Sequence, residues 1–149
     1  MSLKQELFNQ CKKFVENRLE TIQEIISSNQ KALQSETKSS AGDKHETGRA
    51  MLQLEMEKAG QQLHSIQQMQ SMLSKIKLEN STKKAHLGSL VETNNATYFL
   101  SISAGKLEVG NNIYFAVSIS SPIGKLLLGK QESDVVPFNE NQIIITCVS

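Results

Sequence analysis

Two carboxylates three residues apart, Asp43 and Glu46, stand in the run Ser39-Ser40-Ala41-Gly42-Asp43-Lys44-His45-Glu46, a short break between two long stretches of helical periodicity. Hard oxygen donors of this kind suit a divalent cation such as magnesium. That ion usually takes one or two carboxylates from any one source and fills its octahedron with water or phosphate. Two acids cannot complete such a site alone, so the other ligands must come from a second protein or a nucleic acid. The same residues also form a capping-box pattern, in which Asp43 accepts from the backbone N–H of Glu46 and Glu46 reaches back to open a helix. The two roles are compatible, because a cap can also orient a side chain.

No other chemistry is encoded locally. His45-Glu46 is followed by Arg49 where a zinc-protease motif needs its second histidine. His45, His64 and His86 are scattered, and the chain has no Walker loop, no G-x-G-x-x-G and no G-x-S-x-G. A self-contained active site is therefore not expected: the protein reads as a non-enzyme with no stably bound cofactor. Cys11 and Cys147 lie far apart and form no C-x-x-C, so reduced thiols are expected.

The elements that position the two acids follow from periodicity. Over residues 3–37, Phe8, Val15, Leu19, Ile22, Ile26 and Leu33 fall on heptad a and d positions, with Lys12 and Asn29 as polar interruptions. Residues 50–78 repeat the pattern through Leu52, Met56, Ala59, Leu63, Ile66 and Leu73, with Gln70 interrupting. A stripe this narrow buries one seam, so each helix needs a partner. The short glycine-containing break favours an antiparallel hairpin, with residues 39–46 at its tip. At 1.5 Å per residue, about 30 residues give a rod roughly 45 Å long.

From about residue 86 the period changes. His86–Glu92 and Ala96–Ser103 flank the turn pair Asn94-Asn95 and read as strands, as do Asn112–Ile119 after Gly110-Asn111 and Gln142–Val148 after Asn139-Glu140-Asn141. Between the last two, Ser121-Pro122-Ile123-Gly124-Lys125-Leu126-Leu127-Leu128-Gly129 has serine to cap, proline at the first helical position and glycine past the end, which predicts a helix of one to two turns. The fold class expected is α+β: an N-terminal antiparallel coiled-coil hairpin over 1–80, a joint near 75–84, and a small antiparallel β-sheet domain with one short helix over 85–149.

Composition agrees. Hydrophobic content of 38% and aromatic content of 5%, with no tryptophan, suit a long helical assembly better than one globular core. Residues 1–84 carry 13 basic and 10 acidic side chains, and 85–149 carry 3 and 5. A net charge of +1 demands no nucleic-acid partner. The N-terminus lacks the apolar run of a signal peptide, and no stretch approaches the roughly 18 apolar residues of a membrane span. A cytoplasmic monomer without membrane contact is expected.

Two segments resemble the Gre family of bacterial transcript-cleavage elongation factors. One is Val117-Ser118-Ile119-Ser120-Ser121-Pro122-Ile123-Gly124-Lys125-Leu126-Leu127-Leu128-Gly129-Lys130 followed by Asp134-Val135-Val136, and the other is Gly42-Asp43-x-x-Glu46. The resemblance implies an FKBP-like C-terminal domain without isomerase activity. It implies docking at the secondary channel of RNA polymerase, with Ser121, Pro122, Ile123 and Gly124 on the partner-binding side. It further implies that Asp43 and Glu46 at the coiled-coil tip, near the nascent RNA 3′ end, share a magnesium ion with the polymerase and stimulate cleavage of backtracked RNA. Around the acids the family's usual residues are replaced by His45, Thr47, Arg49 and Ala50. That departure leaves open an alternative: a Gre-like channel regulator or inhibitor that does not stimulate cleavage. A third reading is an interaction adaptor whose tip acids only cap a helix.

Overall fold

The computed structural model describes residues 2–38 and 43–149, and the side chains of these except 36–38 and 43–46. Two long helices, α1 (Leu3–Lys38) and α2 (Asp43–Ser74), form a helical hairpin, and six strands with one short helix follow. Ser2 starts α1, its Oγ accepting from the Gln5 N–H at 3.2 Å. By compactness the chain divides into two units, residues 1–14 with 70–149, and residues 15–69.

In the second unit the buried positions step by seven: Val15, Ile22 and Asn29 on α1, Ala59 and Ile66 on α2. This is the heptad seam read from the sequence, and Asn29 is buried within it. The match fails at both ends. Below Val15 the buried residues are Leu7 and Cys11, not Phe8 and Lys12. Spacings of four replace the heptad there because this part of α1 packs on the sheet: Cys11 Sγ lies 3.6 Å from Ser101 Oγ, and Gln10 Nε2 donates to the Glu108 carbonyl at 2.8 Å. On α2, Gln70 is exposed while Met69 and Met72 are half-buried beside Leu73. The helix ends at Ser74, short of the expected 78, as Lys75 and Ile76 donate to the carbonyls of Met72 and Leu73 in a tighter final turn. It begins at Asp43, seven residues before the apolar stripe, at the residue from which the capping-box pattern opens a helix.

The strands are β1 (Leu90–Thr93), β2 (Thr97–Ser101), β3 (Gly105–Val109), β4 (Asn112–Ser118), β5 (Val135–Phe138) and β6 (Asn141–Val148), with α3 (Pro122–Leu127) between β4 and β5. Their order in the sheet is β3-β4-β2-β1-β6-β5. The expected antiparallel sheet is corrected at one pairing: β2 and β4 run parallel, with Leu100 opposite Val117. The cause is the β3–β4 hairpin, which turns at Gly110 (φ 62°) and lays β4 between β3 and β2. The strand expected from His86 begins only at Leu90. Before it, Ser89 N–H donates back to the His86 carbonyl and Gly88 takes φ 95°, a turn rather than extended chain.

Register assigns the two faces. Val91, Tyr98 and Leu100 share one face with Val136, Ile143 and Ile145, and Ile123 and Leu127 of α3 pack there. Leu90, Phe99 and Ala116 point to the other, where Ser101 meets Cys11 of α1. Both faces are thus covered, and Phe99, Leu100 and Leu127 are fully buried.

Candidate functional site

The residues predicted to carry chemistry fall in two places. Asp43 and Glu46 lie in the first turn of α2. Their side chains, like the rest of the expected tip at 39–46, lie outside the described residues. Beyond them Arg49 and Ala50 are exposed and Gly48 is half-buried. As a donor set, two carboxylates at i and i+3 of a helical first turn fit magnesium's preference for hard oxygens, and the helix N-terminus favours their negative charge. Among the described residues no three of histidine, cysteine, aspartate and glutamate converge to hold a metal.

The second place is α3 and its flanks. Ser121 is the N-cap, at φ −72° and ψ 160°. Its Oγ accepts from the Gly124 N–H at 3.1 Å and donates to the Ser118 carbonyl at 2.6 Å, while its own N–H reaches the same carbonyl at 3.0 Å. Pro122 follows at the first helical position, where a missing N–H costs nothing. Gly124 lies against the Ser118 carbonyl so closely that a Cβ would collide with it. At the far end Leu128 N–H donates to the Gly124 carbonyl at 3.0 Å, and Gly129 (φ 82°) donates to the Ala85 carbonyl at 2.8 Å. Ala85 N–H in turn donates to the Lys130 carbonyl at 2.7 Å. Each distinctive residue of the run therefore has a local structural task. Of the four predicted partner-binding residues, Pro122 is exposed, Ser121 half-buried, and Ile123 and Gly124 buried; Lys125 and Leu128 are exposed beside them.

Asp134, the start of the second motif segment, accepts from the Gln131 N–H through Oδ2 at 2.9 Å, and its carbonyl accepts from Ile145 N–H at 2.9 Å. It closes the turn that feeds β5. Nearby, Lys83, Gln131, Glu132 and Val148 line an open cleft of about 290 Å³. Nothing in the sequence singles out these four residues, and one charge of each sign gives the cleft no strong ligand preference.

The cysteines differ in setting. Cys11 is buried, and burial pushes its thiol upward while the Ser101 hydroxyl pulls it partly back. Cys147 is exposed; its thiol is also raised, by desolvation first and then by the negative charges of Glu92 and Glu132. A raised thiol is a poorer nucleophile at neutral pH, so neither is an activated cysteine.

The architecture is α+β: a long N-terminal helical hairpin, then a six-stranded mixed sheet with one short helix. No family model and no curated protein matches the chain. Among solved structures, one described as the transcription factor Gfh1 is similar at 19% identity, over 95% of this chain and 92% of that one, with a TM-score of 0.35. No described helix is long and apolar enough to cross a membrane.

Proposed function

We propose that the protein is a transcription factor of the Gre type that engages bacterial RNA polymerase through its secondary channel and stimulates cleavage of backtracked nascent RNA. The observation that carries this reading is the fold of the Ser121-Pro122-Ile123-Gly124 run. The segment on which the resemblance rests forms a capped helix on a sheet, in a chain that also begins with a long helical hairpin. In this reading the hairpin module is 1–80 and the FKBP-like module 85–149, and the protein acts as a cytoplasmic monomer. The exposed side of α3, at Pro122, belongs to the docking surface, while Ser121, Ile123 and Gly124 hold that surface in shape.

Asp43 and Glu46 supply two carboxylates at the hairpin turn, half of a magnesium site whose other half is on the polymerase. When bound, magnesium supplies Lewis-acid activation of water and charge neutralisation for phosphodiester hydrolysis. The chain's own part is to present negative charge near the RNA 3′ end without catalysing anything alone. The test is RNA cleavage by backtracked elongation complexes given wild-type protein or the double variant Asp43→Ala/Glu46→Ala. Wild type is expected to accelerate cleavage at least tenfold and the double variant not at all; equal stimulation by both refutes the role of the acids.

Arg49 favours a second reading, a channel-binding regulator without cleavage activity. A cation at this position, exposed one turn after Glu46, opposes recruitment of another cation. Binding to the polymerase without stimulated cleavage, with activity gained in Arg49→Glu, supports it.

A further inference from the structure

The hairpin seam is filled unevenly. Between Val15 and Asn29 on α1, and from Ala59 to Ile66 on α2, every seventh residue is buried, with Leu19, Ile26 and Leu63 half-covered between them. Nearer the turn, among the described residues, none is buried: Ala32, Leu33, Gly48, Leu52 and Met56 are only half-covered. Met51 and Leu54 on the same stretch of α2 are 61% and 59% exposed. At the boundary stands Asn29, 7% exposed, with its Nδ2 lacking any hydrogen-bond partner.

A buried amide N–H without an acceptor is destabilising, because it has given up water and gained nothing in return. Opening the seam at Asn29 returns that group to water. The described segments beyond it, residues 30–35 and 48–56, have little buried apolar area to resist the opening, and local stability follows buried contacts. Both effects act at one place and in one direction. We infer that Asn29 divides the hairpin into a firmly zipped part, residues 15–26 with 59–69, and a part nearer the turn, residues 30–35 with 48–56, that opens alone without unfolding the rest. This device does not depend on the transcription reading.

Amide hydrogen exchange of the full chain, followed by mass spectrometry, tests it. In wild type, residues 30–35 and 48–56 are expected to exchange at least tenfold faster than 15–26 and 59–69. Asn29→Leu, which fills the seam and removes the orphaned amide, is expected to slow the fast segments at least tenfold, equivalent to about 1.4 kcal/mol. Ser28→Leu, at an exposed neighbour, raises helix propensity without reaching the seam and is expected to leave them nearly unchanged. Uniform exchange along the wild-type hairpin overturns the inference, and so does an equal effect of the two variants or none from Asn29→Leu. If Asn29→Leu fails to fold, the wild-type profile decides alone.

Discussion

Gly124 and Ser121 concentrate the structural demands of the α3 segment on two side chains, one of them absent. A methyl group on Gly124 has no room against the Ser118 carbonyl, which is itself held by the Ser121 hydroxyl and N–H. Gly124→Ala is therefore expected to cost about 2–3 kcal/mol by forcing backbone apart, as overpacking does. Ser121→Ala, which removes a cap and one donor to Ser118, is expected to cost about 1 kcal/mol. Urea titrations of both variants check the order; a Gly124→Ala protein as stable as Ser121→Ala contradicts the close approach. Cys11 gives a pH dependence. Its folded thiol is raised above the ordinary value of 9.0, so the unfolded chain ionises first. Its contribution is fully present below that ordinary value and is lost as pH rises through the folded one. Stability should thus fall in alkali more steeply for wild type than for Cys11→Ala, measured by urea midpoints from pH 7 to 10.

Elements were legible in the sequence where one rule governed them. The α1 seam from Val15 to Asn29 and the capped α3 were readable because heptad spacing and cap chemistry act within a few residues. The shift to Leu7 and Cys11 was not, since it is imposed by a sheet that lies ninety residues away in sequence. The strands β3 and β5 were missed for a related reason. Both are edges: β3 carries Lys106 and Glu108, paired at 3.4 Å, and β5 carries Pro137. Such residues weaken a strand pattern and also discourage edge-to-edge association. The capping of α3 by Ser121 was likewise readable, but the burial of Gly124 against Ser118 needed the structure. The β5–β6 turn supports a further prediction. Asn139 and Glu140 both take positive φ, 48° and 67°, conformations that suit asparagine–glycine at a two-residue hairpin turn. Glu140→Gly removes strain that outweighs the added freedom of the unfolded chain, and is expected to stabilise by about 0.5–1 kcal/mol. A lower thermal midpoint in that variant contradicts the left-handed geometry at Glu140.

At the scale of the whole molecule, the division into residues 15–69 and the remainder separates two kinds of stability. The sheet unit buries Phe99, Leu100, Leu127, Ile143 and Ile145 almost completely and joins its strands by long-range pairing. The hairpin unit rests on a single seam, interrupted by Asn29 and leaving Ile25, Met51 and Leu54 exposed. Apolar burial dominates folding stability, so the hairpin unit should loosen first on heating or in denaturant. Two spectroscopic signals separate the units without any substitution. The chain has two tyrosines and no tryptophan, and Tyr98 and Tyr114 are both buried in the sheet unit, so intrinsic fluorescence reports that unit. Far-UV circular dichroism at the helical band reports chiefly α1 and α2, which span 36 and 32 residues. The dichroism midpoint is expected at lower urea than the fluorescence midpoint, with the gap narrowed by Asn29→Leu. Coincident transitions in wild type would mean that α1, running unbroken from one unit into the other, couples them into one cooperative system despite the thin seam.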